Sequence, residues 1–495
     1  MDEFTLSNDK NILSLTTQKL NKMNKIIGRE SEYEKIASYI NSGRAEFVAI
    51  YGRRRVGKTF LVRNYFNDKF DFYTTGVIDG TREEELSVFY NSLRDYGYNG
   101  HQPKNWIETF YALYTLIKTK KRQKRCVVFI DELPCFDTQH SGFVRAFGHF
   151  WNNYASRLDN IFLIVCGSAT SWIVRNIIDN RGGLHNRITH EMHIKPFNLH
   201  ETELFFKAHR AKWTQLAITQ IYTAIGGIPY YLEMLDFSKS AAENIDELFF
   251  APDAELRKEY GRLFKSLYRY PDQYMEIIAV LSETKSGLTR KEISERLKVN
   301  SGSHLSNMLE DLVNCDFIRR YSNGTKHNSC IYQVIDFYTL FYHQFCKKKS
   351  TDKMLWQHSL NTPTQNTWYG LAFERICLCH VWQILYALHL DTVRTEYFSW
   401  RSSTTSEKAQ IDLVIDRLGG QTCICEIKYS EREYSITSEE EAKIRNRIAA
   451  YSEEMKPKNG IIGILITTFG LNNKQASDTI QNVVTLNKLF EQITI

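Results

Sequence analysis

Long apolar runs are missing from this chain of 495 residues. No stretch approaches the roughly 18 apolar residues that a membrane-spanning helix needs. The polar start MDEFTLSNDK also lacks the apolar segment of a signal peptide. A large charge imbalance is missing too, because 63 basic residues face 57 acidic ones and leave a net charge of +6. This small excess permits contact with nucleic acid without requiring it. We therefore expect a cytoplasmic protein with no membrane partner.

Cysteines spaced as a disulfide framework are also absent. The ten cysteines are scattered through apolar segments, as Cys166 is, which suits reduced thiols in a core. The close pairs Cys377/Cys379 and Cys423/Cys425 leave a metal site as an alternative. No internal repeat is visible. A chain of this length exceeds what one hydrophobic core usually supports, so two to four domains are expected.

The segment GRRRVGKT lies between a predicted strand and a predicted helix. A P-loop has this order because phosphates bind backbone N–H groups of a glycine-rich turn at a helix N-terminus. Lys58 would reach the β- and γ-phosphates, and the Thr59 hydroxyl would bind Mg²⁺. The predicted nucleotide-binding residues of this segment are Gly52, Arg53, Arg54, Arg55, Val56, Gly57, Lys58 and Thr59.

A second signal is the apolar strand VVFIDE, which ends in Asp131 and Glu132. Asp131 can orient the magnesium shell, and Glu132 can polarise an attacking water. The alternative is a buried strand that ends in surface acids, and the P-loop upstream disfavours it. No NKxD guanine signature lies at a suitable place, which favours ATP over GTP.

Four motifs in this order resemble the AAA+/STAND class of ATPases, and specifically its prokaryotic, archaeal-type family. They are IGRE at 27–30, the P-loop at 52–59, DE at 131–132 and CGS at 166–168. The resemblance covers about residues 26–235. It implies that Gly28 and Arg29 border the adenine and that Ser168 is a sensor. Pro229 would belong to a lid segment, GGIPYYL, that touches the base. Arg187 lies where such proteins place an arginine near the γ-phosphate, and the alternative is a surface arginine before a strand.

Further along, the segments KAQIDLVID and QTCICEIKY flank a turn at residues 417–420 and should pair as an antiparallel hairpin. Because strand side chains alternate, Glu426 and Lys428 share one face. Asp412 lies directly across from Glu426 if the turn is centred near Gly419. Two carboxylates so placed repel, and a divalent cation removes this penalty by binding them together with a substrate phosphate. Lys428 can then orient or deprotonate the attacking water.

This hairpin resembles that of the PD-(D/E)xK, or restriction-endonuclease-like, α/β fold, which ATPases of the family above often carry at the C-terminus. The resemblance covers about residues 340–495 and implies a third acid, Glu374, in the helical segment GLAFE. The predicted catalytic residues are Glu132, Glu374, Asp412, Glu426 and Lys428, and the predicted metal ligands are Thr59, Asp131, Asp412 and Glu426. The alternative is a degraded nuclease fold kept as a binding or assembly module.

Residues 272–335 read helix, helix, helix, hairpin, an order that resembles a winged helix. Ser303, His304, Asn307, Arg319 and Arg320 would then face DNA, or the segment packs on a neighbouring domain instead. Near the nuclease strands, Tyr429 and Lys408 either face DNA or lie on a solvated edge. The predicted α/β architecture is a flexible tail at 1–25, a P-loop ATPase core with a parallel sheet at 26–200, a helical lid at 201–270, a winged helix at 271–336 and a nuclease-like domain at 337–495.

Two functions fit these signals. One is an ATP-dependent, DNA-acting enzyme in which nucleotide state controls a Mg²⁺-dependent nuclease. The other is a STAND-like regulatory switch whose nuclease fold is only a scaffold. ATP and Mg²⁺ are the expected cofactors and DNA is the expected partner. Arg187 acting across a subunit boundary would imply a homo-oligomer.

Overall fold

The computed structural model describes residues 26–120, 124–323, 326–347, 350–402, 409–472 and 477–493. The tail predicted at 1–25 and the residue Lys408 lie outside this part of the chain. The described residues fall into two compact units. The first comprises those of Met1–Tyr51, Gly57–Gly167 and Trp172–Ile194, and the second comprises those of Gly52–Val56, Ser168–Ser171 and Lys195–Ile495.

The first unit is built on one parallel sheet. Its strands are β1 (Glu46–Tyr51), β2 (Phe72–Thr75), β3 (Cys126–Asp131), β4 (Ile161–Gly167) and β5 (His190–His193). They lie in the order β2-β3-β4-β1-β5, and each neighbouring pair is parallel. β3 and β4 are buried along their whole length, as strands of a parallel sheet covered on both faces are. The predicted α/β domain with a parallel sheet is confirmed.

Amphipathic helices cover this sheet. The α-helices before residue 195 are α1 (Glu30–Ile40), α2 (Lys58–Phe66), α3 (Arg82–Asp95), α4 (Trp106–Ile117), α5 (Phe143–Asn153) and α6 (Thr170–Ile173), with 3₁₀ turns at Leu133–Phe136 and Ala155–Arg157 and a π-helical turn at Val174–Ile178. Aromatic side chains fill the space between α4 and α5. The Trp106 and Phe143 ring centroids are 4.9 Å apart and nearly perpendicular, a favourable edge-to-face contact.

The second unit begins with helices. They are α7 (Leu199–Ala208), α8 (Gln215–Ile225), α9 (Pro229–Leu232), α10 (Ala241–Ile245) and α11 (Glu255–Leu267), with a π-helical turn at Asp246–Phe250. The glycine pair before α9 is required by close packing. A Cβ on Gly227 would collide with the carbonyl oxygen of Phe197, whose own N–H donates to the Gly227 carbonyl at 2.7 Å. The two glycines of GGIPYYL therefore let the chain turn tightly against the start of α7.

Residues 271–336 form what we call the helix–hairpin module. Its elements are α12 (Pro271–Ser282), β6 (Leu288–Thr289), α13 (Arg290–Leu297), α14 (Ser303–Asn314), β7 (Ile318–Asn323) and β8 (Lys326–Val334). The expected order of three helices and a hairpin is present, and the short strand β6 pairs with β8 as an addition. A capping box at Thr289 and Glu292 starts α13.

The rest of the second unit is a second α/β layer. Its helices are α15 (Phe337–Phe341), α16 (Leu355–His358), α17 (Pro363–Cys379), α18 (Val381–Ala387), α19 (Ser438–Met455) and α20 (Leu486–Leu489), with a π-helical turn at Tyr342–Cys346. Its strands are β9 (Thr395–Arg401), β10 (Gln410–Arg417), β11 (Thr422–Lys428), β12 (Ile461–Thr467) and β13 (Asn482–Thr485). With the module's strands they form a sheet in the order β13-β12-β11-β10-β9-β7-β8-β6. Among the described residues, no helix is long and apolar enough to cross a membrane.

A buried histidine joins α7 to the end of α17. Burial lowers the pKa of His380 to about 4, and the neutral ring accepts a hydrogen bond at Nε2 from the Leu199 N–H at 3.0 Å. Its Nδ1 lies 2.7 Å from the Ile376 carbonyl oxygen, to which it donates.

We expect acidification to weaken the fold through this residue. Because the folded-state pKa of His380 lies below the ordinary value of 6.5, its contribution is intact above pH 6.5 and is lost as the pH falls towards 4. Between pH 7.5 and pH 5, this residue should lower the free energy of unfolding by roughly 2 kcal/mol. His380→Gln keeps an acceptor and should reduce the loss measured by urea unfolding at the two pH values. His358→Gln, at an exposed histidine, should leave the loss unchanged; equal losses in all three proteins would contradict the prediction.

Candidate functional site

The P-loop segment connects β1 to α2, as its sequence predicted. Gly57 has a left-handed backbone with φ of 90° and forms the N-cap of α2. A Cβ added at Gly57 would meet nothing within 4 Å, so open space lies in front of this turn. The first N–H groups of a helix lack intrahelical acceptors and attract anions. The turn therefore has the form of a phosphate cradle.

Lys58, Thr59 and Asp131 lie together in the first unit. Lys58 is buried, and the Thr59 hydroxyl donates to Asp131 Oδ2 at 2.8 Å. Burial and then the charge of Glu132 raise the pKa of Asp131, while the Thr59 hydrogen bond opposes this rise. The Cys166 thiol also hydrogen-bonds the Asp131 carboxylate. Asp131 is therefore held in place by groups from α2 and β4.

Glu132 follows β3 in a strained conformation. Its φ of 43° is left-handed, a region that non-glycine residues rarely adopt and that is enriched at functional sites. Its N–H donates to Asp131 Oδ1 at 3.0 Å, and the 3₁₀ turn Leu133–Phe136 begins after it. The turn directs the chain away from the strand immediately after the two acids.

Two P-loop arginines have protein partners in the second unit. Arg53 is 1% exposed, forms an ion pair with Asp336 and lies 4.7 Å from the centre of the Phe317 ring. Arg55 Nε lies 2.6 Å from Glu259 Oε1. We expected both residues among the nucleotide contacts. In this structure their side chains form ion pairs with acidic residues. Their contact with nucleotide stays a prediction.

The remaining predicted nucleotide residues belong to several different elements. Gly28 has a left-handed φ of 68°, and the buried Arg29 pairs with Glu32 at 3.3 Å. Ser168 is buried in the second unit. Of the other predicted positions, Arg54 is half-buried, Val56 is buried, Arg187 is exposed and Pro229 is the first residue of α9.

In the C-terminal part, β10 and β11 pair in the register that their sequences predicted. Leu413 lies opposite Cys425, and continuing this register by one residue places Asp412 across from Glu426. The pairing of β9 with β10 is irregular between Ile411 and Val414. Such bulges re-aim side chains, and this one brackets Asp412. Asp412 Oδ1 accepts a hydrogen bond from Gln410 Nε2 at 2.9 Å.

Glu426 is already compensated by cations of the protein. Its Oε1 lies 3.0 Å from Lys428 Nζ, and its Oε2 accepts from Arg447 Nη1 at 2.5 Å. Arg447 comes from α19. The sequence predicts that a divalent cation relieves the repulsion between Asp412 and Glu426. In the structure, Arg447 of this helix already offsets part of that repulsion.

Glu374 lies on α17 near Asp412 and is buried. Burial and then the Asp412 charge raise the pKa of Glu374 to about 7, against the opposing effects of Lys285 and Arg375. Its Oε1 accepts from Lys285 Nζ at 2.6 Å, whereas its Oε2 is buried with no hydrogen-bond partner in the described part of the chain. The carboxylate is therefore only half satisfied.

No group of three or more His, Cys, Asp or Glu side chains within the described ranges could hold a metal ion by itself. A cation at Asp412 and Glu426 would therefore complete its shell with water or substrate oxygens, as Mg²⁺ commonly does. The hairpin arginines are also engaged by the protein. Arg319 donates to Gln333 and to Ser399 of β9, and Arg320 pairs with Glu310. These contacts favour packing on the neighbouring strand over DNA contact at Arg319.

Sequence reasoning missed the partners that hold these residues. Asp336, Glu259, Lys285 and Arg447 lie 283, 204, 89 and 21 residues from the groups they bind. Of these contacts, only those of the P-loop arginines had a sequence signal, because a buried arginine needs an acidic partner.

Comparison with known proteins bears on the N-terminal part of the chain. Residues 26–235 match the model of an ATPase domain that occurs predominantly in Archaea. This part of the chain is an ATPase-like P-loop domain. The span agrees with that of the resemblance drawn from the four motifs. The winged-helix and nuclease-like assignments remain predictions.

The chain is also similar to several known proteins. An uncharacterized protein of Methanocaldococcus jannaschii is 24% identical over 355 residues, which are 71% of this chain and 76% of that protein. A Walker-type ATPase of Pyrococcus abyssi covers 64% of this chain and 96% of its own at 18% identity, with a TM-score of 0.45. The ORC2 protein of Aeropyrum pernix, solved with ADPNP and ADP, covers 65% and 94% at 15% identity, with a TM-score of 0.40.

We expect the Arg53–Asp336 pair to contribute strongly to stability. Asp336→Asn keeps a side-chain cap for α15, since Asp336 accepts the Thr339 N–H at 3.0 Å. It leaves the buried guanidinium uncompensated, which should lower the free energy of unfolding by about 3 kcal/mol. Asp253→Asn, at an exposed acid paired with Lys258, is the matched control. Denaturant unfolding measures both, and equal midpoints would contradict the assignment.

Proposed function

We propose that the protein binds and hydrolyses ATP and uses its nucleotide state to control the second unit. The observation that carries this proposal is the Thr59–Asp131 pair at 2.8 Å beside the buried Lys58. A hydroxyl and a carboxylate are the protein ligands that a partly hydrated Mg²⁺ takes in P-loop enzymes. The residues present therefore fit a magnesium-bound nucleoside triphosphate.

Each group then has a role. The N–H groups at the start of α2 and the Lys58 ammonium bind phosphate oxygens. Thr59 and Asp131 hold Mg²⁺, which when bound offsets negative charge on the phosphates. Glu132 orients and polarises the attacking water. The exposed Arg187 is available to the γ-phosphate of a neighbouring copy, which would make the active form a homo-oligomer.

Control of the second unit is supported by the P-loop arginines. Arg53 and Arg55 lie within a few residues of Lys58 in the chain, and their side chains are paired with Asp336 and Glu259. A change of loop conformation on nucleotide binding must move these pairs or break them. Breaking a buried pair costs several kcal/mol, so movement of the partner is favoured.

We expect the two steps of ATP turnover to separate by mutation. Lys58→Ala removes a cation from the phosphates and should abolish ATP binding measured with a fluorescent analogue. Glu132→Gln keeps the binding groups and should reduce hydrolysis by about a hundredfold or more, the usual contribution of a general base. Glu191→Gln, at an exposed acid of β5, should match the wild type. Wild-type phosphate release by Glu132→Gln would contradict the role of Glu132.

A second candidate function is Mg²⁺-dependent cleavage of DNA by the C-terminal part. What supports it is the β10–β11 register, in which Leu413 lies opposite Cys425, so that Asp412 and Glu426 would be the next pair along the strands. Lys428 Nζ lies 3.0 Å from Glu426. In this proposal Asp412 and Glu426 hold the ion, and Lys428 orients the attacking water while Glu374 is the third acid. The competing proposal is a regulatory switch in which Lys428 and Arg447 neutralise Glu426 for structural reasons.

These proposals predict different effects of two substitutions. If the C-terminal part cleaves DNA, Asp412→Asn and Lys428→Ala should each reduce Mn²⁺-dependent nicking of plasmid DNA by about a hundredfold or more. Lys443→Ala, at an exposed lysine of α19 paired with Glu439, should cleave like the wild type, and unfolding midpoints control for stability. Full activity of Lys428→Ala would rule out the nuclease. Full cleavage by Lys58→Ala, with and without ATP, would rule out control of cleavage by nucleotide but not the nuclease itself.

A further inference from the structure

Lys285 lies where it contacts the third acid of the candidate nuclease site. It belongs to the turn between α12 and β6 in the helix–hairpin module, and its Nζ is 2.6 Å from Glu374 Oε1. The Glu374 side chain is 10% exposed, whereas that of Lys285 is 54% exposed. The ammonium therefore reaches a buried carboxylate from a half-exposed position. The flexible stem of Lys285 lets the ammonium leave the carboxylate for solvent.

We propose that Lys285 is an internal cation that competes with a divalent ion for Glu374, so that the helix–hairpin module holds the C-terminal acids in an inhibited state. This inference rests on the second candidate function and names its regulation. An ammonium and a divalent ion bind the same carboxylate oxygens, and both at once would place two cations side by side. The unsatisfied Glu374 Oε2 shows that the ammonium fills only half of the carboxylate's capacity.

The turn that carries Lys285 is positioned by its main chain. The Lys285 carbonyl oxygen accepts from Arg375 and, at 2.7 Å, from Gln333 Nε2. The Ser286 carbonyl oxygen accepts from the Tyr321 hydroxyl at 2.6 Å and from Arg401 Nη2 at 2.8 Å. Because these bonds do not involve the Lys285 side chain, its replacement removes the cation without releasing the turn.

The same module also contacts the P-loop. Asp336 ends the module and pairs with Arg53, while Lys285 near its start pairs with Glu374. One compact segment therefore holds a residue of the nucleotide loop and an acid of the candidate nuclease site. Nucleotide-dependent movement of Asp336 is a physical route by which Lys285 could be withdrawn.

The test is Mn²⁺ binding to the full, nucleotide-free chain by isothermal titration calorimetry. Binding that Glu374→Gln removes is assigned to this site. Lys285→Met should bind Mn²⁺ there about tenfold more tightly than the wild type, the effect expected from losing one competing charge-assisted hydrogen bond. Lys285→Arg keeps a cation and should stay close to the wild type. Lys291→Met, at an exposed lysine of the same module, should do the same.

The outcomes separate the inference from the function on which it rests. Tighter binding by Lys285→Met, or binding by this variant alone, supports the inference. Equal or weaker binding by Lys285→Met, with a Glu374-dependent site in the wild type, overturns the competition but leaves the nuclease candidate. No Glu374-dependent binding in any variant overturns the inference and leaves the nuclease candidate to the cleavage test of Lys428→Ala.

A separate variant tests whether Asp336 controls the contact between Lys285 and Glu374. Asp336→Asn should also raise Mn²⁺ affinity at this site, by about twofold or more, because it loosens the other end of the module. The Lys285→Met/Asp336→Asn double variant should bind no more tightly than Lys285→Met. Wild-type affinity in Asp336→Asn would overturn control from the P-loop end.

Discussion

The second unit depends on the ion pair between Arg53 and Asp336. A guanidinium that is 1% exposed cannot stay charged in a protein interior without an acidic partner and hydrogen bonds. Asp336 provides both, and it also caps α15 through the Thr339 N–H. Residues 52–56 group with the second unit, whereas Tyr51 and Gly57 on either side group with the first. Residues 52–56 of the P-loop are therefore also a structural part of the second unit.

The features that the sequence predicted well are those formed by residues close together in the chain. The P-loop and the acids after β3 are readable because strand, turn and helix follow one another within a few residues. The Asp412–Glu426 register is readable because side chains alternate along a strand and the turn length sets the pairing. Ion pairs over long separations follow no period. Nothing in the spacing of Arg55 and Glu259, or of Glu374 and Lys285, indicates that they meet, because their contact depends on tertiary packing.

The C-terminal acids illustrate how a sheet can carry opposed carboxylates. Their repulsion is a reason to expect a metal, since like charges across a strand pair are unfavourable. The structure adds Arg447 from α19 and Lys285 from the helix–hairpin module, so much of the negative charge is offset within the protein. Charge compensation and metal binding are not exclusive, because a cation of the protein can yield its place to an ion. The pKa of about 7 for Glu374 marks a carboxylate whose compensation is incomplete.

The eight-stranded sheet of the second unit contains one weak junction. Among the described residues, β7 and β9 share a single registered pair, Asn323 and Ser399, whereas the neighbouring pairs of strands share several. Across this junction, the Arg319 side chain also donates to Ser399, so the described strands of the two parts are joined at one place. If that point opened, each half would expose a strand edge with free N–H and C=O groups, and such edges are templates for pairing with another chain. The junction of β7 and β9 is therefore the part of this sheet that the fewest backbone pairs hold among the described residues.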